Sequence, residues 1–207
     1  TVDYVKQDIK QYRERLVARI QNGNGPDIFR FHNTWRPMLA DYLLPLPSDT
    51  VTRADFENWF YPVAKKDLEK NGAVFGIPLG IDTLALFINN QLFQSAGIKA
   101  PANWVDFANY ARSLTVTDQT GKIIKSGAAL GTFDNITHAP DIISLLFVQN
   151  GADIYNLSKT AKAAGDALTF YASFALGDSS TWNNAQDSSI LTFAKGNLAM
   201  YFGYSWD

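Results

Sequence analysis

Asp82 is the only carboxylate in the run Gly76-Ile77-Pro78-Leu79-Gly80-Ile81-Asp82-Thr83-Leu84-Ala85-Leu86-Phe87-Ile88-Asn89-Asn90, and it stands just ahead of the unbroken apolar stretch Leu84 to Ile88. That stretch has no period-two alternation, so as a strand it is covered on both faces, as in a sheet sandwiched between helices. A carboxylate at the mouth of such a strand is costly to bury without hydrogen-bond donors. A polar ligand supplies them; so, within the chain, does a local turn or the neighbouring Thr83. The sequence also carries five Trp, nine Tyr and fourteen Phe. Carboxylates and amides for hydroxyls, together with flat rings for weakly polar C–H faces, are what a sugar site requires.

A second group of candidates is Phe31-His32-Asn33-Thr34-Trp35-Arg36. It follows a strand expected over Ile28 to Phe31, and open α/β sheets bind ligands at the C-terminal ends of their strands. Trp35 either faces a ligand there or packs on the next helix. Asn33 and Arg36 can donate to hydroxyls, with Asp41 an alternative partner for Arg36, and His32 reads as structural.

Other chemistries are poorly supplied. There is no Cys and only two His, His32 and His138, far apart and without metal-ligand spacing, so no metal or cofactor is expected. Gly203-Tyr204-Ser205-Trp206-Asp207 lacks the closing Gly of a nucleophile elbow, no Walker loop occurs, and Gly23-Asn24-Gly25 is half a dinucleotide fingerprint placed after a helix. A glycoside hydrolase needs two carboxyl groups across the scissile bond, and the sequence nominates only Asp82. Binding without catalysis is therefore the leading expectation, ahead of a carbohydrate-active enzyme or a ligand-free interaction domain. A net charge of −2 with no Lys/Arg run argues against nucleic acid or a basic membrane-binding face. No apolar run approaches the roughly 18 residues that cross a bilayer.

With 46% hydrophobic residues, the chain of 207 can bury a substantial core. Apolar positions from Val2 to Ile20 recur at helical spacing, predicting an opening amphipathic helix that stops at Asn22-Gly23. A short helix over Trp35 to Leu43 follows the expected strand. The next begins at Thr52, with Asp55 placed for a capping box, and ends at Asn71-Gly72. Asn103 and Asp106 start a helix whose Trp104, Phe107, Ala111 and Leu114 share a core face. Asp118 to Lys122 has hairpin-turn chemistry, and Gly127 to Gly131 suits a buried strand. Further helices are expected over Asp141 to Gln149, Thr160 to Ala175 and Asp187 to Lys195, with a strand over Leu198 to Phe202. The alternation points to an α/β fold.

The chain resembles the extracellular solute-binding proteins of sugar ABC transporters, the group that includes maltose-binding protein. The likeness lies in Gly23-Asn24-Gly25-Pro26-Asp27-Ile28, in Gly76 to Phe93, in Ala96-Gly97-Ile98 with Pro101-Ala102-Asn103-Trp104, and in Phe193 to Trp206 with its Gly-x-Trp ending. Asn90 and Gln91 depart from the usual Lys and Asp, and Asn103 from the usual Thr. The resemblance implies a periplasmic-binding-protein-like two-lobe fold, with residues 1–86 a partial lobe one holding the first crossing and residues 87–207 lobe two. It also implies a fragment lacking the first strand and the C-terminal return to lobe one, expected to hold sugar weakly by itself.

By the same resemblance, Asp82 takes the place of a sugar-contacting acid and Trp206 that of a stacking indole, with Tyr204 and Ser205 in its loop. Asn135 and His138 fall in another binding loop, where Asp134-Asn135 also has ordinary turn chemistry. Trp182, in a polar loop, is equally consistent with stacking or packing. The implied ligand is a mono- or oligosaccharide, with polyols, glycerol phosphates and polyamines open and iron less favoured. The implied partners are ABC permease subunits. The implied place is periplasmic or extracellular, with or without a lipid anchor, and the implied mechanism is closure of two lobes around the ligand.

Overall fold

The computed structural model describes residues 1–207, and the chain divides into two compact units, Thr1–Ile81 and Asp82–Asp207. The division falls ahead of residue 86 because Ala85 to Ile88 is hydrogen-bonded to a strand at the far end of the second unit.

The first unit is built from short elements. Helix α1, Tyr12–Gln21, starts well after Val2. Gln11 before it is left-handed (φ 53°), and Val2, Tyr4, Val5 and Ile9 are all exposed. The apolar spacing is present but no surface covers it, and helices in proteins take most of their stability from such cover. Ile28 to Phe31 forms no strand, because no neighbouring segment takes up its backbone hydrogen bonds and Ile28 lies exposed. Two 3-10 turns, Asn33–Trp35 and Ala40–Tyr42, replace the helix expected over Trp35 to Leu43.

Thr52 caps helix α2, Arg53–Trp59, through the expected capping box: Asp55 N donates to Thr52 Oγ1 at 3.0 Å and Thr52 N to Asp55 Oδ2 at 3.2 Å. Helix α3, Pro62–Leu68, opens on proline, whose missing N–H costs nothing there. Asn71-Gly72, expected to end a helix, instead turns a hairpin between β1, Glu69–Lys70, and β2, Ala73–Val74. Both turn residues are left-handed (φ 54° and 81°), as a two-residue hairpin loop demands. The core of this unit is small: Phe56, Leu68 and Val74, with Phe31, Leu46, Val51 and Phe60 against them.

The second unit follows the α/β pattern. Its elements are β3 (Ala85–Ile88), α4 (Asn90–Ser95), α5 (Trp104–Ser113), β4 (Val116–Thr117), β5 (Ile123–Ala128), α6 (Ala139–Gln149), α7 (Ala161–Ala172), α8 (Ser189–Ala194) and β6 (Leu198–Gly203). The sheet order is β3-β6-β5-β4. β6 runs antiparallel to β3, with Ala85 opposite Gly203, and parallel to β5, with Ala128 opposite Met200. The parallel pair requires a long crossover, and α6, α7 and α8 provide it. Every residue of β6 is buried, as expected for an apolar run covered on both faces.

The caps in this unit also follow the sequence. Asn103 Oδ1 accepts from Asp106 N at 2.8 Å, and Asp118 Oδ1 gathers donors from Thr120 and Lys122 to close the β4–β5 turn. Trp104 packs edge-on to Phe107 and Phe170. β5 begins at Ile123, earlier than the strand expected from Gly127, because its first half pairs with β4. Fully buried side chains such as Ile142, Leu198 and Met200 each contribute about 1.5–3 kcal/mol of transfer free energy.

Candidate functional site

Asp82 opens the second unit, and β3 and β6 bring it to the turn that follows β6. Because Ala85 pairs with Gly203, the residue just before β3 reaches those just after β6. Asp82 Oδ2 accepts from Ser205 N at 3.0 Å and from the Ser205 hydroxyl, while Oδ1 accepts from Thr83 N at 2.7 Å. These donors, led by the Ser205 hydroxyl, lower the Asp82 pKa below the usual carboxylate range. The side chain is therefore a charged acceptor, and Oδ1 keeps one lone pair uncommitted within the chain. The local bond to Thr83, the alternative to a ligand in the sequence, is present, and a contact with the Ser205 loop accompanies it.

The next residue is Trp206, 65% exposed, whose indole lies on the Tyr204 ring with centroids 4.5 Å apart and planes 11° from parallel. The His138 ring meets the Tyr204 ring edge-on at 4.9 Å. His138 Nε2 lies 3.0 Å and 2.9 Å from the two carboxylate oxygens of Asp207, and Asp207 Oδ2 also accepts from Tyr204 N at 2.8 Å. The turn is so tight that a Cβ at Gly203 would collide with the Asp207 carboxylate and, at 2.7 Å, with the Tyr201 ring. Burial, then the charge and hydrogen bond of Asp141, push the Tyr204 hydroxyl up to about 12; Asp82 and Asp207 add to the same shift. The arrangement offers one charged acceptor and one open aromatic face side by side.

Other expected site residues are engaged elsewhere. Asn135 donates from Nδ2 to the carbonyls of Asn183 (2.9 Å) and Gln186 (3.1 Å), while its Oδ1 accepts from Trp182 Nε1 (3.0 Å) and the Thr132 hydroxyl. Its amide capacity is spent inside the fold, which corrects the expectation of a ligand contact. Trp182 is fully buried and belongs to the core. In the first unit, Asn33 Nδ2 donates to Asp67 Oδ2 at 2.6 Å, and Arg36 Nε donates to the Asp67 carbonyl at 2.6 Å. Both side chains tie the 3-10 turn to α3. Trp35 is half-buried beside Tyr12 (6.1 Å) and under the Arg13 guanidinium (5.8 Å), and His32 Nδ1 bonds Thr34 Oγ1 at 2.8 Å. Shallow depressions lie beside Lys6 to Ile9 and between α1 and Met38, the second lined in part by Arg13.

Asp141 and Asp207 were not singled out from the sequence. Asp141 reads there as an ordinary first-turn acid of α6, and nothing in its spacing links it to Tyr204. Asp207 lies next to Trp206 in the sequence, but its bond to His138 is visible only once α6 packs beside β6. No group of three or more His, Cys, Asp and Glu is arranged to hold a metal, and no helix is long and apolar enough to cross a membrane.

The family described as "Bacterial extracellular solute-binding protein" matches residues 1–207. The chain belongs to this family. A maltotriose-binding protein of Pyrococcus abyssi is 26% identical to this solute-binding chain over 91 residues, 44% of the chain and 20% of that protein. An ABC substrate-binding protein from Listeria monocytogenes, solved in complex with cycloalternan, superposes with a TM-score of 0.74 at 20% identity, over 96% of this chain and 52% of that one. The GacH receptor of Streptomyces glaucescens, solved unliganded and with acarbose and an acarbose homolog, gives a TM-score of 0.66 at 25% identity, over 100% of this chain and 53% of that one. The chain thus spans about half the length of these structures. Its α/β fold is that of the two-lobe periplasmic binding proteins.

Proposed function

We propose that this chain serves the solute-binding component of an ABC importer and binds a carbohydrate at the Asp82–Ser205–Trp206 face of its second unit. The observation that carries the reading is the tie between the Asp82 carboxylate and Ser205, which sets a charged hydroxyl acceptor beside an exposed indole with one free face. Sugar hydroxyls donate to such a carboxylate, and a pyranose C–H face suits such a ring. Family membership and the sugar complexes of its structural relatives support the same ligand class. They also support an extracellular or periplasmic place and a permease as the protein partner.

The lowered pKa of Asp82 argues against one catalytic role, that of general acid, and suits a hydroxyl acceptor. A glycosidase general acid must hold its proton near neutrality, whereas Asp82 is stabilised as the anion. Trp35, Asn33 and Arg36 serve the first unit's own packing in this reading, and Tyr204 and His138 shape the platform.

The test is a thermal-shift and calorimetric titration of the full-length protein with maltotriose, mannotriose and acarbose. A ligand that binds only the native state raises the midpoint by mass action. At least one of these sugars is expected to raise it, and Asp82→Ala or Trp206→Ala is expected to abolish the rise while leaving the unliganded midpoint within a few degrees. Turnover of any of these sugars, lost in Asp82→Asn, would overturn the binding reading. So would the absence of a shift with all three.

A further inference from the structure

The Trp206 indole is held in a particular way. One face is covered by the Tyr204 ring at 4.5 Å, and Tyr204 is itself fixed at two points: its N–H by Asp207 Oδ2 and its ring by the His138 edge. Trp206, by contrast, lies against the Tyr204 ring and stays 65% exposed. The orientation of the indole therefore depends on the ring behind it. The charges acting on the Tyr204 hydroxyl are those of Asp141, Asp82 and Asp207, all carboxylates. Of the three, Asp207 faces a basic group, His138, and Asp82 is met only by neutral donors.

We propose that Tyr204 is a positioning residue that holds Trp206 as a platform with a single open face, and that the surrounding carboxylates of Asp82, Asp141 and Asp207 make this platform select uncharged sugar rings over rings bearing a carboxylate or phosphate. The inference rests on the carbohydrate reading above and adds to it the charge class of the ligand and the residue that orients the stack. An indole already backed by a second ring loses little freedom when a sugar settles on it, and that saving appears as affinity. An anionic substituent brought to the same edge meets like charge, which lowers affinity for the wrong ligand without changing it for the right one.

The experiment titrates maltotriose and mannotriose, each beside its analogue oxidised at C6 to the uronic acid, into the full-length protein and its Tyr204→Leu, Tyr204→Phe and Asp141→Asn variants. Near-UV circular dichroism records the coupled Tyr204–Trp206 pair in each. Tyr204→Leu is expected to weaken neutral-sugar binding about three- to tenfold, in line with the worth of an aromatic pair, and to erase the dichroic signature. Tyr204→Phe restores both to near the unaltered protein. The uronic analogues should bind the unaltered protein at least about tenfold more weakly than their parents, and Asp141→Asn should narrow that gap. Neutral-sugar affinity unchanged in Tyr204→Leu, or equal affinity for parent and uronic analogue, overturns this inference and leaves carbohydrate binding standing. Failure of the unaltered protein to bind either neutral sugar overturns both. Should Tyr204→Leu not fold, the uronic-acid comparison and its response to Asp141→Asn decide the matter alone.

Discussion

The two units of this chain use similar residues to different effect. In the second, apolar runs become strands of one four-stranded sheet, and one contiguous core extends from Phe93 through Ile142 and Trp182 to Phe202. In the first, equally apolar segments find no sheet, its core is Phe56, Leu68 and Val74 with a few half-buried neighbours, and Val2, Tyr4, Ile9, Ile28, Leu44 and Leu79 stay exposed. A hydrophobic pattern proposes an element, but only a partner surface makes it stable.

The contrast can be broken most sharply at two tryptophans. Trp182→Ala empties a fully buried site and removes one of the two donors to Asn135 Oδ1, so it should cost about 3–5 kcal/mol in urea unfolding of the second unit. Trp59→Ala, at a site 62% exposed, should stay within about 0.5 kcal/mol. Equal losses would refute the difference in cores. Native-state hydrogen exchange extends the comparison: amides of β6 should open only near the global unfolding limit, while those of the β1–β2 hairpin exchange by local opening.

Smaller effects test the local signals that the first unit does retain. Thr52→Ala removes the cap of α2 and should cost about 1 kcal/mol. Gly72→Ala forces a side chain into a left-handed position at φ 81° and should cost about as much, both read from shifts in the first unit's unfolding midpoint.

The smallest effect is in the pH dependence of the second unit. Asp82 has a folded pKa below its unfolded value of about 3.9, so its contribution is present above that pH and is lost as the pH falls through the lower folded value. Tyr204 is shifted the other way, from an ordinary value near 10 up to about 12, so stability declines as the pH rises between them. Denaturation curves measured across both ranges should show the acid limb flattened in Asp82→Asn and the alkaline limb flattened in Tyr204→Phe.

Legibility in the sequence follows the range of the interactions. The capping box at Thr52, the N-cap at Asn103, the turn at Asp118 and the strand at Leu198 were readable because their partners lie within a few residues, or because burial on two faces leaves an unbroken apolar run. Asn71-Gly72 was readable as the end of a helix, and only the pairing of β1 with β2 makes it a hairpin turn. The site divides in the same way. Asp82 stood out as a lone carboxylate before an apolar strand, yet Ser205, which binds it, lies in a loop at the other end of the unit. Asn135 read as either a binding-loop amide or a turn residue, and three of its four hydrogen bonds go to residues 182–186, which nothing in the local sequence links to it.

By itself, then, the sequence determined what repeats or pairs over short distance: the α/β class, several helix starts and the apolar runs that become strands, while Leu84 to Ile88, expected to be covered on both faces, lies half-buried at the sheet edge. Only the tertiary structure decided which groups meet. Antiparallel pairing of β3 with β6 joins Asp82 to Ser205, and the packing of α6 beside that turn puts His138 and Asp141 around Tyr204. Contacts of this kind depend on register and on packing between elements, which the composition and period of any single segment do not specify.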